Sequence, residues 1–467
     1  MNSLYKKSKL IITAGPASDS YENMKKLVLA GATCIRANFS HGTHEEQANK
    51  FSTAKAISKD LQVPISLLLD TKGPEIRIGK MKDGGQEILA ESLLTIHTNP
   101  NLYSTFEGNT SEVAVHYDMS QDLKVGDEVL FDDGKLTSHV VKIEEQKVIV
   151  KTLNTHFLKT NKRINLPGVD FSLPFLSQKD IDDVKFGIEQ EVNYIAASFV
   201  NNAQNIRDLK ELLKNNGGEH IKIIAKIESD LGVKNLDEIL DEVDGIMVAR
   251  GDLGLEIPYY EVPYAQKIII EKCRQKGKLV IVATQMLDSM ENNPQPTRAE
   301  VSDVYLAIMQ QADSTMLSGE SATGKYPKQA VTVMSRIAKR AEEEVYANLR
   351  EFYTNTPVNK LNQAQQFSQL TYLNDVKLMI IQTDNLEILR ELSKARPNVP
   401  VIGVINNSKM INAFGVESSI WIDFNSLSLY SKFNLENLFI DELKIKYGLK
   451  TNEKILVIDK NFQTKIK

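Results

Sequence analysis

The chain has 467 residues, 42% of them hydrophobic and 25% charged, with a formal net charge of −5, an ordinary composition for a soluble globular protein. At roughly 150 residues per domain the length suggests about three domains. No lysine-arginine block stands out, so charge offers no argument for nucleic acid or an anionic membrane as a partner.

The opening MNSLYKKSKLIITAG holds an apolar run too short for a signal peptide. No stretch approaches the ~20 apolar residues of a membrane span. The two cysteines, Cys34 and Cys273, lie in apolar contexts. They fit a reducing cytoplasm better than a disulfide framework or a zinc site.

Short, nearly continuous apolar runs follow in order: 10–15, 32–39, 65–70, 194–199, 221–228, 245–250, 279–285 and 314–319. Each is bounded by Gly, Asp or Ser, as parallel strands covered on both faces are. Helical patterns fill the intervals, after Ser20, after Thr43, and over 180–190, 202–215, 261–276, 297–310 and 327–344. Eight strands alternating with helices predict an α/β protein built on a closed (β/α)8 TIM barrel, with a doubly wound open sheet as the alternative. Between the third and fourth runs the pattern turns short and alternating, with VGD and DDG turn signals. This predicts a small inserted β domain over 73–168, which divides the barrel into 1–72 and 169–345. Beyond 345, DVKLMIIQT, PVIGVI, SSIWIDF and KILVIDK read as strands of a C-terminal α/β domain over 346–467.

In such a barrel the active site lies at the carboxyl ends of the strands. Those ends carry Arg36, Asn38 and Ser40; Asp70 and Thr71, with Glu75 and Arg77 close behind; Ser198; Lys226 and Glu228; Arg250, Gly251 and Asp252; Thr284 and Gln285; and Glu320. All but one of the strands become polar or charged at the same end. Carboxylates and neutral oxygens gathered in one ring suit hard cations. Arginine and lysine beside them suit an anionic substrate, with phosphate the natural choice. Lys226 and Glu228 are two apart and share one strand face. Glu228 can hold a divalent ion while Lys226 faces the charge that moves; a plain salt bridge between the two is the alternative.

KLIITAGPAS, IRANFSHG, LLLDTKGPEIRIG, NLPGVD, IIAKIES, GIMVARGDLGLEI, VIVATQMLDSM, PTRAEVSDV and MLSGESATGKYP, in that order over roughly residues 8 to 345, resemble the successive signatures of the pyruvate kinase family. The resemblance implies a barrel with an inserted β-barrel domain and a C-terminal α/β domain. It implies phosphoryl transfer from phosphoenolpyruvate to ADP, giving pyruvate and ATP in glycolysis. Glu228 and Asp252 resemble the carboxylates that hold Mg2+ or Mn2+. Asn38, Ser40, Asp70 and Thr71 resemble the monovalent site, normally K+, with Ser198 nearby and Glu75 as the marker of K+ dependence. Arg36 and Arg77 resemble phosphate contacts, and Gly251, Asp252 and Thr284 the cradle of the substrate carboxylate. Asn38, Ser40, His41, Arg77 and Lys162 resemble the nucleotide site. Lys226, Arg36 and Thr284 are the expected catalytic groups, Thr284 in a positioning role. The family is usually a homotetramer.

Three departures from the family pattern stand out. Arg163 follows Lys162 where the family usually has Gly, which puts the aim of Lys162 in question. The segment 305–307 reads YLA in place of a small-polar-small run, in a helix used for subunit contacts. After the first strand of the last domain, QTDNLEILREL brings Asp384 and Glu387 where members activated by sugar bisphosphates have a Ser/Thr-Gly-rich loop. Acidic side chains repel phosphate, so this activation is expected to be lost or altered. Two other functions remain in view: a Mg2+-dependent lyase or aldolase of the same barrel type, and a catalytically inactive homologue.

Overall fold

The computed structural model describes residues 5–170, 172–433 and 439–467. Eight parallel strands close into one barrel. In chain order they are β1 Lys9–Thr13, β2 Cys34–Asn38, β3 Ser66–Asp70, β4 Tyr194–Ala197, β5 Lys222–Ile227, β6 Gly245–Ala249, β7 Leu279–Ala283 and β8 Ser314–Leu317. β1 pairs with β8, Lys9 opposite Ser314, and that ladder excludes the open sheet. Helices cover the outside where the periodicity placed them. Ser20 caps Tyr21–Ala30, and Thr43 with Glu46 forms a capping box on His44–Leu61. The helix predicted for 327–344 runs on to Asn355, past the expected start of the last domain. Its extra turns bury Val345, Tyr346 and Tyr353 against Leu361 and Tyr372.

Between β3 and β4 the chain builds a seven-stranded sheet and a separate two-stranded one. The larger sheet runs from Ile76–Arg77 through Arg163–Asn165 to Glu112–Ala114 at its far edge. Its two edges meet at the antiparallel bridge of Ile78 with Val115, so the sheet curls around its own core of Ile76, Ile96, Val113, Phe131 and Val150. After the long helix comes a five-stranded sheet in the order Ile420–Ile422, Val401–Val404, Val376–Gln382, Lys454–Ile458, Thr464–Ile466. The last strand is antiparallel to its neighbour. It was not foreseen, because three residues at the chain end carry no periodic signal.

The amino-terminal ends of the barrel strands present Lys9, Thr33, Ser66, Lys222 and Ser314, all buried. Each meets the segment 412–420 of the last domain. Thr33 Oγ1 donates to the Gly415 carbonyl at 2.6 Å, Ser314 Oγ to Val416 at 2.7 Å and Lys9 Nζ to Ile420 at 2.5 Å. The Gly415 amide donates to Ser66 Oγ at 2.8 Å. A Cβ on Gly415 would lie 2.4 Å from Ser66 Oγ and 2.5 Å from the Thr33 carbonyl, so no other residue fits. Val416 joins the interior cluster of Ile11, Leu68, Ile224 and Met247. The last domain thus supplies the floor of the barrel. Lys222, the charge at the start of β5, is explained by the same contact: it pairs with the buried Glu417.

Candidate active site

At the opposite end, β2, β3 and β5 bring Arg36, Asp70 and Lys226 into one buried cluster. Asn38 and Asp70 are register partners on adjacent strands. Arg36 Nε donates to Asp70 Oδ2 at 2.7 Å, and its Nη1 to Thr13 Oγ1 at 2.8 Å. Lys226 Nζ lies 3.0 Å from Asp70 Oδ1, 3.0 Å from Glu228 Oε1 and 2.7 Å from Ser198 Oγ. The salt bridge weighed for Lys226 and Glu228 is therefore present, as one arm of a network rather than an isolated pair. Burial by itself would strip the lysine of its proton, but Asp70 and Glu228 more than reverse this and hold its pKa above the ordinary lysine value. Burial likewise pushes Asp70 up, and Arg36 with Lys226 outweighs it, holding the carboxyl below its usual range.

Glu228 accepts the Phe199 amide at 2.8 Å on its second oxygen. Phe199 reaches that place with φ 55°, a left-handed value that costs a bulky residue on the order of 1 kcal/mol. Burial pushes Glu228 up to about 7; Lys226 opposes this and the neighbouring Asp252 adds to it. The Glu228 and Asp252 carboxyls are neighbours. Asp252 stands in the first turn of the helix Arg250–Glu256, which follows β6 directly. Burial raises its pKa, but Arg163 and Lys226 together hold it below the ordinary value.

Thr284 and Gln285, just after β7, also have positive φ, 66° and 51°. Arg250 fixes this turn, donating to the Thr284 carbonyl at 2.8 Å while bound to Asp303 at 2.6 Å. Thr284 Oγ1 accepts the Gly251 amide at 2.7 Å. Gly251, Asp252 and Thr284 therefore meet at one point of the mouth. Glu320 does not face it: its carboxylate is buried, accepting the amides of Leu287 at 3.0 Å and Ser318 at 2.7 Å.

The loop after β3 folds over Ser198. Ser198 donates through Oγ to the Thr71 carbonyl at 2.7 Å, and its amide donates to Thr71 Oγ1 at 3.0 Å. Asn38 Oδ1 accepts the Ser40 amide at 3.0 Å. Asn38, Ser40, Asp70 and Thr71 thus form a patch of neutral oxygens and one carboxylate. Glu75 binds Arg77 at 2.9 Å. Ser40, His41 and Arg77 line a cavity of about 360 Å3 with Lys72, Tyr103, His116 and Asn161. Lys162 is not among the residues lining it; its ammonium pairs with Asp132 of the inserted domain at 2.7 Å.

Several groups escaped the sequence reading. Thr13 holds Arg36 from the end of β1, and Phe199 supports Glu228; neither residue type signals chemistry. Arg163 was visible only as a departure from the family pattern. It leaves the inserted sheet and donates to Asp252 Oδ1 at 2.5 Å. Among the described residues no group of three or more His, Cys, Asp or Glu could hold a metal. The two carboxylates Glu228 and Asp252 still fit a hard divalent ion, which takes one or two protein carboxylates and leaves its other positions to substrate and water.

The family model for the pyruvate kinase barrel domain matches residues 5–331. The chain belongs to the pyruvate kinase family. It is 41% identical over 453 residues to the pyruvate kinase of Mycoplasma pneumoniae, covering 89% of each chain. Against that of Geobacillus stearothermophilus it is 41% identical over 410 residues, 86% of this chain and 69% of the relative. The crystal structure of a pyruvate kinase from Cryptosporidium parvum superposes with a TM-score of 0.86 at 31% identity, covering 100% of this chain and 97% of that one. The expected fold, a TIM barrel with added domains, and the expected enzyme class, a phosphotransferase, both stand.

Proposed function

We propose that this mouth transfers the phosphoryl group of phosphoenolpyruvate to ADP, giving pyruvate and ATP. The observation that carries the reading is Lys226: an ammonium kept charged in a buried site by Asp70, Glu228 and Ser198, with an arginine alongside. Phosphoryl transfer needs placement and charge neutralisation more than covalent help. Lys226 and Arg36 meet the equatorial oxygens of the migrating group. Thr284 and the amides of Gly251 and Asp252 hold the substrate carboxylate, and the strained turn held by Arg250 keeps Thr284 in place. Ser40, His41 and Arg77 receive the nucleotide phosphates, and Asn38 joins them; Lys162 reaches them only by leaving Asp132. A divalent ion, Mg2+ or Mn2+, when held by Glu228 and Asp252, supplies a template for phosphate oxygens and neutralises their charge. Asn38, Ser40, Asp70 and Thr71 offer the oxygen set for K+, with Glu75 beside them.

The three domains are proposed as 1–72 with 169–345, 73–168, and 346–467, each with its own apolar cluster in support. A homotetramer is proposed on the exposed Val301 and Leu306 of the helix Arg298–Met309 and on the exposed Tyr259, Tyr260 and Tyr264. Among the described residues no helix is long and apolar enough to cross a membrane; a cytoplasmic location without nucleic-acid partners is inferred from composition and charge. A coupled assay of pyruvate formed from phosphoenolpyruvate and ADP, with and without K+, tests the activity. No turnover would mean an inactive homologue, or a lyase if the chain instead releases pyruvate from a hydroxylated 2-oxoacid by carbon–carbon cleavage.

A further inference from the structure

We propose that Arg163 is the counterion of Asp252 in the metal-free site, so that a divalent ion loads by displacing it and thereby frees the inserted domain from the barrel mouth. The inference rests on the reading of Glu228 and Asp252 as the divalent-ion ligands.

Arg163 opens a strand of the inserted sheet, Arg163–Asn165, which pairs on one side with Arg77 and on the other with Phe131 and Leu130. Strand alternation turns Ile164 into the core of that domain and Arg163 with Asn165 towards the barrel. Both land on one helix. Arg163 binds Asp252, and Asn165 lies by Glu256, one helical turn further on. The guanidinium also lies 4.8 Å from the centre of the Phe199 ring, the residue whose amide supports Glu228. Arg163 is only 13% exposed there. It is thus built into the mouth, covered by an aromatic face on one side and by carboxylates on the other.

The oxygen it occupies, Asp252 Oδ1, belongs to one of the two carboxylates that the reading assigns to the ion. A guanidinium 2.5 Å from that oxygen and a cation bound to it exclude each other in space and repel in charge. With Arg163 gone and no ion in its place, Asp252 would have only Lys226 to set against its charge, and Lys226 is already shared by Asp70 and Glu228. The exchange keeps the pair neutralised in both states. It also links the metal to the inserted domain, because the residue displaced is the charged one of the two, Arg163 and Asn165, that set that domain's sheet against the barrel helix.

The test is a titration of the full chain with Mn2+, without substrates, read from the electron paramagnetic resonance signal of the free ion. Arg163→Met keeps the apolar stem over Phe199 and removes the charge; Arg163→Gly removes both. Each is expected to bind Mn2+ at least about tenfold tighter than the parent, the size of one charge-assisted hydrogen bond. Hydrogen exchange in Arg163–Asn165 is expected to quicken when Mn2+ is added to the parent and to be quick already in the variants. An unchanged or weaker Mn2+ affinity in whichever variant folds overturns the proposal. Glu228→Gln separates the two readings. If it abolishes Mn2+ binding while the Arg163 variants bind as the parent does, the exchange fails alone. If it binds Mn2+ like the parent, the metal site itself is wrong.

Discussion

Lys226 carries a charge that its surroundings both threaten and defend. Substituting Lys226→Met leaves Asp70 and Glu228 without their shared cation and the migrating group without its ammonium. Turnover should fall on the order of 10²–10³-fold or more, with circular dichroism used to separate this from unfolding. Glu256 is a second case in which burial governs titration: it pushes the carboxyl up to about 7, against the opposing pull of Asn165 and Gly168. A raised carboxyl pKa means the folded state holds the proton longer than the unfolded one. Stability is then lost as pH climbs from the ordinary glutamate range through about 7. Glu256→Gln should therefore gain on the parent over that window, by on the order of 1 kcal/mol at pH 8 given its partial exposure, with little difference near pH 4. Paired thermal melts across that range check the sign. The thiols of Cys34 and Cys273 are raised by burial alone in the first case and chiefly so in the second. Both should resist alkylation at pH 8 until the chain unfolds.

At the scale of elements, the strand runs and helix caps were legible because the barrel repeats one physical pattern, an apolar strand followed by a capped amphipathic helix. The ring of site residues was legible for the same reason: β2, β3 and β5 change abruptly from apolar to charged at one end. What escaped depends on contacts between distant segments. Nothing local marks Thr13 as the partner of Arg36, or Glu417 as the partner of Lys222. The long helix overran its predicted end because Tyr346 and Tyr353 pack against residues that the barrel pattern does not include. The pair of Lys222 and Glu417 is buried on both sides, with side-chain exposures of 4% and 1%. Lys222→Ala strands that carboxylate and should cost about 3–5 kcal/mol, read from urea unfolding. The double change Lys222→Met with Glu417→Leu should restore most of it. Glu75 belongs at this scale too, since it braces Arg77 beside the proposed K+ patch. Glu75→Lys brings an ammonium to that place, and the variant's activity should depend less on K+ than the parent's.

For the whole molecule, the acidic loop after the strand Val376–Gln382 bears on regulation. Asp384 accepts from the Tyr430 hydroxyl, and Glu387, in the first turn of the helix Leu386–Ala395, pairs with Arg390, so two carboxylates stand where the family resemblance would put a bisphosphate. Adding fructose 1,6-bisphosphate should leave the phosphoenolpyruvate concentration at half-maximal rate unchanged, and a large fall in that concentration would contradict the reading.

The floor of the barrel is made by residues synthesised well after its last strand. Until the segment 412–420 emerges, the nascent tube stands open at its base, with Lys222 lacking its counter-charge and Ser66 and Ser314 lacking acceptors. Synthesis, in this protein, therefore finishes the barrel only when the segment 412–420 of the following domain arrives, and a chain truncated before residue 412 should be a substrate for chaperones rather than a smaller stable enzyme.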